Sequence, residues 1–90
     1  MIEALFDTIK KRQLSSPEGS YTASLFAKGE DEILKKVGEE SVEVILAAKG
    51  QGNERLIEEV SDLTYHVLVL LASRGLTPAD IAAELEKRKK

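Results

Sequence analysis

Three residues, Gly50-Gln51-Gly52, constrain this chain more than any others, because they separate a pair of long segments that both carry helical periodicity. One segment runs from about Glu30 to Lys49, the other from Asn53 to about Arg74. A break that short leaves the second helix little choice but to fold back along the first, so it predicts an antiparallel hairpin of long helices. There is little β-branched alternation of period two, which leaves no good strand candidate. The fold expected is therefore all-α, a helical bundle built on that hairpin. Ninety residues fit one domain, spanning 1–90. A chain of this size buries a smaller share of its surface than a large domain does, so pairing with a second copy is expected to complete the bundle.

Capping residues set the remaining boundaries. Ile2 to Leu14 places Leu5, Phe6, Ile9 and Ile2 on one face and ends in the polar turn Ser15-Ser16-Pro17-Glu18-Gly19. A short helix follows from about Ser20, a good N-cap, to Lys28, with Gly29 as the break. Glu30, Asp31 and Glu32 then sit in the first turn of the long helix, where the helix dipole favours acids. Asn53 is the expected N-cap of the second long helix and Gly75 its left-handed terminator. Thr77-Pro78-Ala79-Asp80 has N-cap, N1 proline and N3 acid in order, opening a final helix to about Arg88.

Charge and composition exclude several classes of function. Thirteen basic against 16 acidic residues give a net charge of −3, so a general nucleic-acid binder, which needs a basic excess, is not expected. The run Lys87, Arg88, Lys89, Lys90 reads as a solvated helix end favoured by the dipole. No cysteine is present, which removes thiolate metal sites and disulfides. The start is charged too early for a signal peptide, and no apolar run reaches the roughly 20 residues a bilayer requires, so a cytoplasmic address without membrane contact is expected.

The chemistry lies in the acids. On a helical wheel Lys36, Glu39, Glu40 and Glu43 fall within an arc of about 100°. Ile33, Val37, Val44 and Ala48 border that arc on one side, and Val42 and Leu46 on the other. The second long helix carries Arg55, Glu59, Asp62, His66 and Ser73 in one narrow stripe, with Leu56, Ile57, Val60, Leu63, Val67, Leu68, Leu70 and Leu71 opposite. Solvated helix surface with lysine partners is the ordinary reading of acidic pairs. Two acid clusters on facing helices, both bordered by apolar residues, argue against it, because like charges at these spacings repel. A cation between the helices resolves the repulsion. Hard oxygen ligands select a hard cation, and Mg²⁺, which keeps waters and substrate phosphates in its shell, suits best. A di-iron site needs Glu-x-x-His pairs; the only histidine, His66, follows Leu63 at that spacing.

The pattern Glu39-Glu40-x-x-Glu43 followed by Glu59-x-x-Asp62 resembles the signature of the all-α nucleoside triphosphate pyrophosphohydrolase superfamily. With Ser20-Tyr21-Thr22, Leu25, Gly29, Lys36-Val37-Gly38 and Leu63-Thr64-Tyr65-His66 added, it resembles the phosphoribosyl-ATP pyrophosphatase family from about Leu5 to Leu85. The resemblance implies hydrolysis of 1-(5-phosphoribosyl)-ATP to 1-(5-phosphoribosyl)-AMP and pyrophosphate, the second step of histidine biosynthesis, by a homodimer. It implies metal-site acids at Glu39, Glu40, Glu43, Glu59 and Asp62, and a phosphate-side cation at Lys36. It also moves Ser20, Tyr21, Thr22, Tyr65 and His66 toward substrate binding. By pattern alone Ser20, Tyr21 and Thr22 read as cap and anchor and Tyr65 as bundle core; His66 reads either as a hydrogen-bonded structural residue or, from its place on the stripe of Glu59 and Asp62, as one that supports the site acids or touches substrate, and Arg55 as a surface ion pair with Glu59 or a phosphate contact. Two alternatives use the same residues differently. A house-cleaning pyrophosphohydrolase would act on free or damaged nucleoside triphosphates, and a non-catalytic dimeric helical module would use the acids for solubility only.

Overall fold

The structure, a computed structural model, describes residues 1–89 and contains five helices: α1 (Ile2–Ser15), α2 (Tyr21–Lys28), α3 (Glu30–Gly50), α4 (Gly52–Ser73) and α5 (Pro78–Arg88). No strand occurs among the described residues. Helices α3 and α4 form the expected hairpin and pack along one another, while α1 and α2 cover one end of the pair. Lys90, the last residue of the C-terminal basic run, lies outside the described residues; Lys87 and Arg88 pair with Glu84 on the exposed face of α5.

Most of the caps act where the sequence places them. Ser20 accepts a hydrogen bond from the Ala23 amide and starts α2. At the end of α4, Gly75 takes φ +70°, its amide donates to Ala72 O, and the Leu76 amide donates to Leu71 O. That is a Schellman closure, which satisfies carbonyls the helix end would leave bare. Thr77 and Asp80 cap each other reciprocally at the start of α5. The expectation at Asn53 fails. Gly52, at φ +87°, turns the chain directly after Gln51, so α4 begins two residues before the start that an Asn53 cap implies, and Asn53 sits inside its first turn. No side chain caps this start; the left-handed glycine makes the turn sharp enough for α4 to follow α3 at once.

The core gathers Phe6 and Ile9 of α1, Leu25 of α2, Ile33 of α3, and Leu68, Val69, Leu71 and Ala72 of α4. Fully buried side chains such as Ile9 and Val69 each stabilise the fold by about 1.5–3 kcal/mol. All of these core residues lie toward the α1/α2 end of the hairpin. Toward the Gly50-Gln51-Gly52 turn only Ala47 and Glu59 are buried, and Val42, Ile45, Leu46, Ile57 and Val60 stay exposed, Ile57 at 66%. Of the apolar flanks of the acid stripes, Ile33, Leu68 and Leu71 join the core and Val37 and Val44 are half-buried, while Val42, Leu46, Ile57 and Val60 stay open to solvent. Helix α5 buries no residue fully; it borders an apolar groove of about 400 Å³ with Ile2, Leu63, Val67 and Ile81 among its lining.

Candidate active site

The hairpin sets the carboxylates of α3 against those of α4. Glu40, Glu59 and Asp62 each bring an oxygen within 4.8 Å of the others. Glu59 is the most enclosed, at 3% exposure, whereas Glu40 is half-buried and Asp62 exposed. Together with Glu39, Glu43, Arg55 and Val42 they line a cavity of about 620 Å³. Three carboxylates and no soft ligand suit a hard cation. Glu39 and Glu43 line the same cavity outside this close trio.

The local electrostatics fit a site that wants positive charge. Burial, and then the neighbouring charge of Asp62, push the Glu40 carboxyl above its usual 4.5; Glu59 adds to the effect and His66 opposes it. Arg55 answers some of the demand, reaching Glu59 at 2.7 Å and Glu58 at 2.9 Å. The ion pair of Arg55 with Glu59 forms as the sequence suggested; its partner is the buried acid of the trio, and Arg55 lines the cavity. Its i, i+4 spacing to Glu59 was the available signal. Lys36 lies 3.5 Å from Glu39 and is held above its ordinary 10.5 by Tyr21 and then by Glu39. Lys28, Lys35 and Lys49 are solvent-exposed, as expected.

A second cluster adjoins the acids. The Tyr21 hydroxyl lies 2.9 Å from His66 Nε2, and Thr22 Oγ1 is hydrogen-bonded to the Tyr65 hydroxyl. The Tyr65 ring stacks near Tyr21 at 6.2 Å and meets His66 edge-on at 5.0 Å. Tyr65 also packs against the core, as the off-stripe position suggested. Burial pushes the Tyr21 phenol above its usual 10.0, against the pull of Lys36. Ser20 serves as the α2 cap. Ser73, the last member of the α4 stripe, donates to Leu70 O and stands apart from both clusters.

Comparison with known proteins gives a consistent result. The description of the family "Phosphoribosyl-ATP pyrophosphohydrolase" matches residues 2–89. A relative from Lacticaseibacillus casei named phosphoribosyl-ATP pyrophosphatase is 60% identical over 87 residues, covering 97% of this chain and 79% of its own. The protein of that name from Pelotomaculum thermopropionicum is 53% identical over 89 residues, covering 99% and 91% respectively. One from Listeria welshimeri is 54% identical over 88 residues, covering 98% and 84%.

Proposed function

From the premise that this chain belongs to the phosphoribosyl-ATP pyrophosphohydrolase family, we propose that it hydrolyses 1-(5-phosphoribosyl)-ATP to 1-(5-phosphoribosyl)-AMP and pyrophosphate, the second step of histidine biosynthesis, with Mg²⁺ held by the hairpin acids. The observation that carries the reading is the convergence of Glu40, Glu59 and Asp62 from two facing helices on one cavity.

In this mechanism Glu40, Glu59 and Asp62 hold the ion, with Glu43 beside them and Glu39 free to orient the attacking water. When bound, Mg²⁺ supplies charge neutralisation at the phosphate oxygens and makes a nearby water easier to deprotonate. The raised pKa of Glu40 marks a carboxylate that gains by taking a positive partner. Lys36 faces the developing charge on the pyrophosphate leaving group. Arg55, within reach of the same cavity, offers a second cation to the phosphates or stays on Glu59. Ser20-Tyr21-Thr22 with Tyr65 and His66 flanks the acids on the side where α2 meets α4, and we assign the rest of the substrate to that side. A second copy covers the exposed Val42, Ile45, Leu46, Ile57 and Val60 face, which supports a homodimer.

The test is pyrophosphate release from phosphoribosyl-ATP with and without Mg²⁺, beside a panel of ordinary nucleoside triphosphates. Mg²⁺-dependent release selective for phosphoribosyl-ATP is expected. Faster release from the ordinary nucleotides moves the chain to a house-cleaning role, and no release from any of them sinks the catalytic reading.

A further inference from the structure

Beyond Asp62, α4 is tied to α2 by side-chain hydrogen bonds. His66 is nearly fully buried, at 6% exposure, and both of its ring nitrogens are engaged. Nδ1 lies 2.8 Å from the backbone carbonyl of Asp62, and a carbonyl only accepts, so Nδ1 carries the proton. In the Nδ1–H tautomer Nε2 carries a lone pair, and the Tyr21 hydroxyl, 2.9 Å away, is placed to donate to it. Thr22 and Tyr65 make a parallel contact between the same two helices. Tyr21 itself stays half-exposed beside Lys36 and Glu40, whose charges act on its phenol. His66 has no nitrogen left for a ligand, and the Tyr21 hydroxyl proton is already spoken for.

We propose that His66 is a positioning residue: in its Nδ1–H form it links the Tyr21 hydroxyl to the backbone carbonyl of Asp62, so that the exposed ring of α2 and the acid-bearing turn of α4 are held in one fixed relation. The proposal rests on the active-site reading above and deepens it. It takes His66 out of direct substrate contact and leaves Tyr21 to meet substrate through its ring rather than as a hydrogen-bond donor. Each ring nitrogen carries half of the link, so the link fails whichever half is removed.

Three substitutions in the full chain dissect it. His66→Asn keeps an N–H near the Nδ1 position and loses the partner of Tyr21; His66→Gln does the reverse; Tyr21→Phe removes only the hydroxyl. Because the chain has a single histidine, the ring ¹⁵N resonances are unambiguous. They are expected to show the Nδ1–H tautomer at neutral pH, and Tyr21→Phe is expected to move the Nε2 resonance while Nδ1 keeps its proton. In turnover, each single variant is expected to lower kcat about 10- to 100-fold, a loss typical of residues that orient a metal-site ligand. The double variant Tyr21→Phe/His66→Asn is expected to be no worse than the poorer single one, since both cut one link. An Nε2–H tautomer, losses that multiply in the double variant, or a lowered Tm with kcat and KM unchanged would each overturn the proposal. If the unaltered chain shows no turnover, the function proposed above fails, while the resonances of the unaltered chain and of Tyr21→Phe still decide the link.

Discussion

Glu59 is a carboxylate almost out of contact with water, 2.7 Å from a guanidinium and facing two further acids. Such a group acts through its charge, and Glu59→Gln removes the charge while keeping the shape. Turnover is expected to fall at least about 100-fold, whereas the Tm of the metal-free protein holds or rises because a repulsive neighbour of Glu40 and Asp62 is gone. Alanine at Asp62 or Glu43 is expected to abolish turnover and leave the helical circular dichroism largely intact; near-normal activity in either removes that residue from the site. Glu40 gives a pH signature. Its folded pKa lies above 4.5, so the folded state binds this proton more tightly than the unfolded chain does. Its contribution therefore favours folding at acid pH and is lost as pH rises from about 4.5 through the raised value. Tm scans without Mg²⁺ are expected to show that decline, Glu40→Gln is expected to flatten it, and added Mg²⁺ to reduce it at neutral pH. The wheel brought Glu40, Glu59 and Asp62 to facing stripes. It could not separate them from Glu39 and Glu43, because rotational phase on one helix carries no information about axial register against the other.

Among the helices, α5 depends most on its own ends, since it buries no residue fully. Thr77→Ala breaks the reciprocal cap with Asp80 and is expected to cost about 1 kcal/mol, or about five-fold in local opening. That change is expected in the hydrogen exchange of the α5 amides, with the main unfolding transition scarcely moved; an equal loss across α3 and α4 would show α5 to belong to the cooperative core. The caps at Ser20, Gly75 and Thr77–Asp80 were legible because each is a local device whose residues are consecutive or nearly so. The start of α4 was not. Asn53 is the better capping side chain, but the turn is decided by the left-handed backbone of Gly52, and two glycines around one residue leave its position open on paper. The α2–α4 contacts were half legible: Tyr21 and His66 were singled out, but their pairing spans 45 positions and emerges only when α2 folds onto α4.

At the scale of the molecule the apolar residues are distributed unevenly. One end of the hairpin is closed by α1 and α2, and the other shows water Val42, Ile45, Leu46, Ile57 and Val60. Monomeric proteins seldom leave so continuous an apolar face open. A homodimer is expected in sedimentation or light scattering at micromolar concentration, with a mass about twice 9.9 kDa. Ile57→Lys, at the most exposed of these positions, is expected to shift the population toward monomer and to lower the Tm of the assembly; an unchanged mass would place the interface elsewhere. Periodicity marked Ile57 and Val60 as apolar but not where they would be covered, because a helical repeat reports which face avoids water and says nothing of which chain shelters it.

The pairing of Arg55 with Glu59 has a further consequence. Five carboxylates, Glu39, Glu40, Glu43, Glu59 and Asp62, line the cavity, and among the described residues Arg55 is the one cation in that lining, so four formal negative charges are left for ions and Lys36 to offset. Arg55 is the counterweight within the lining: it offsets part of the charge on the acid held furthest from water.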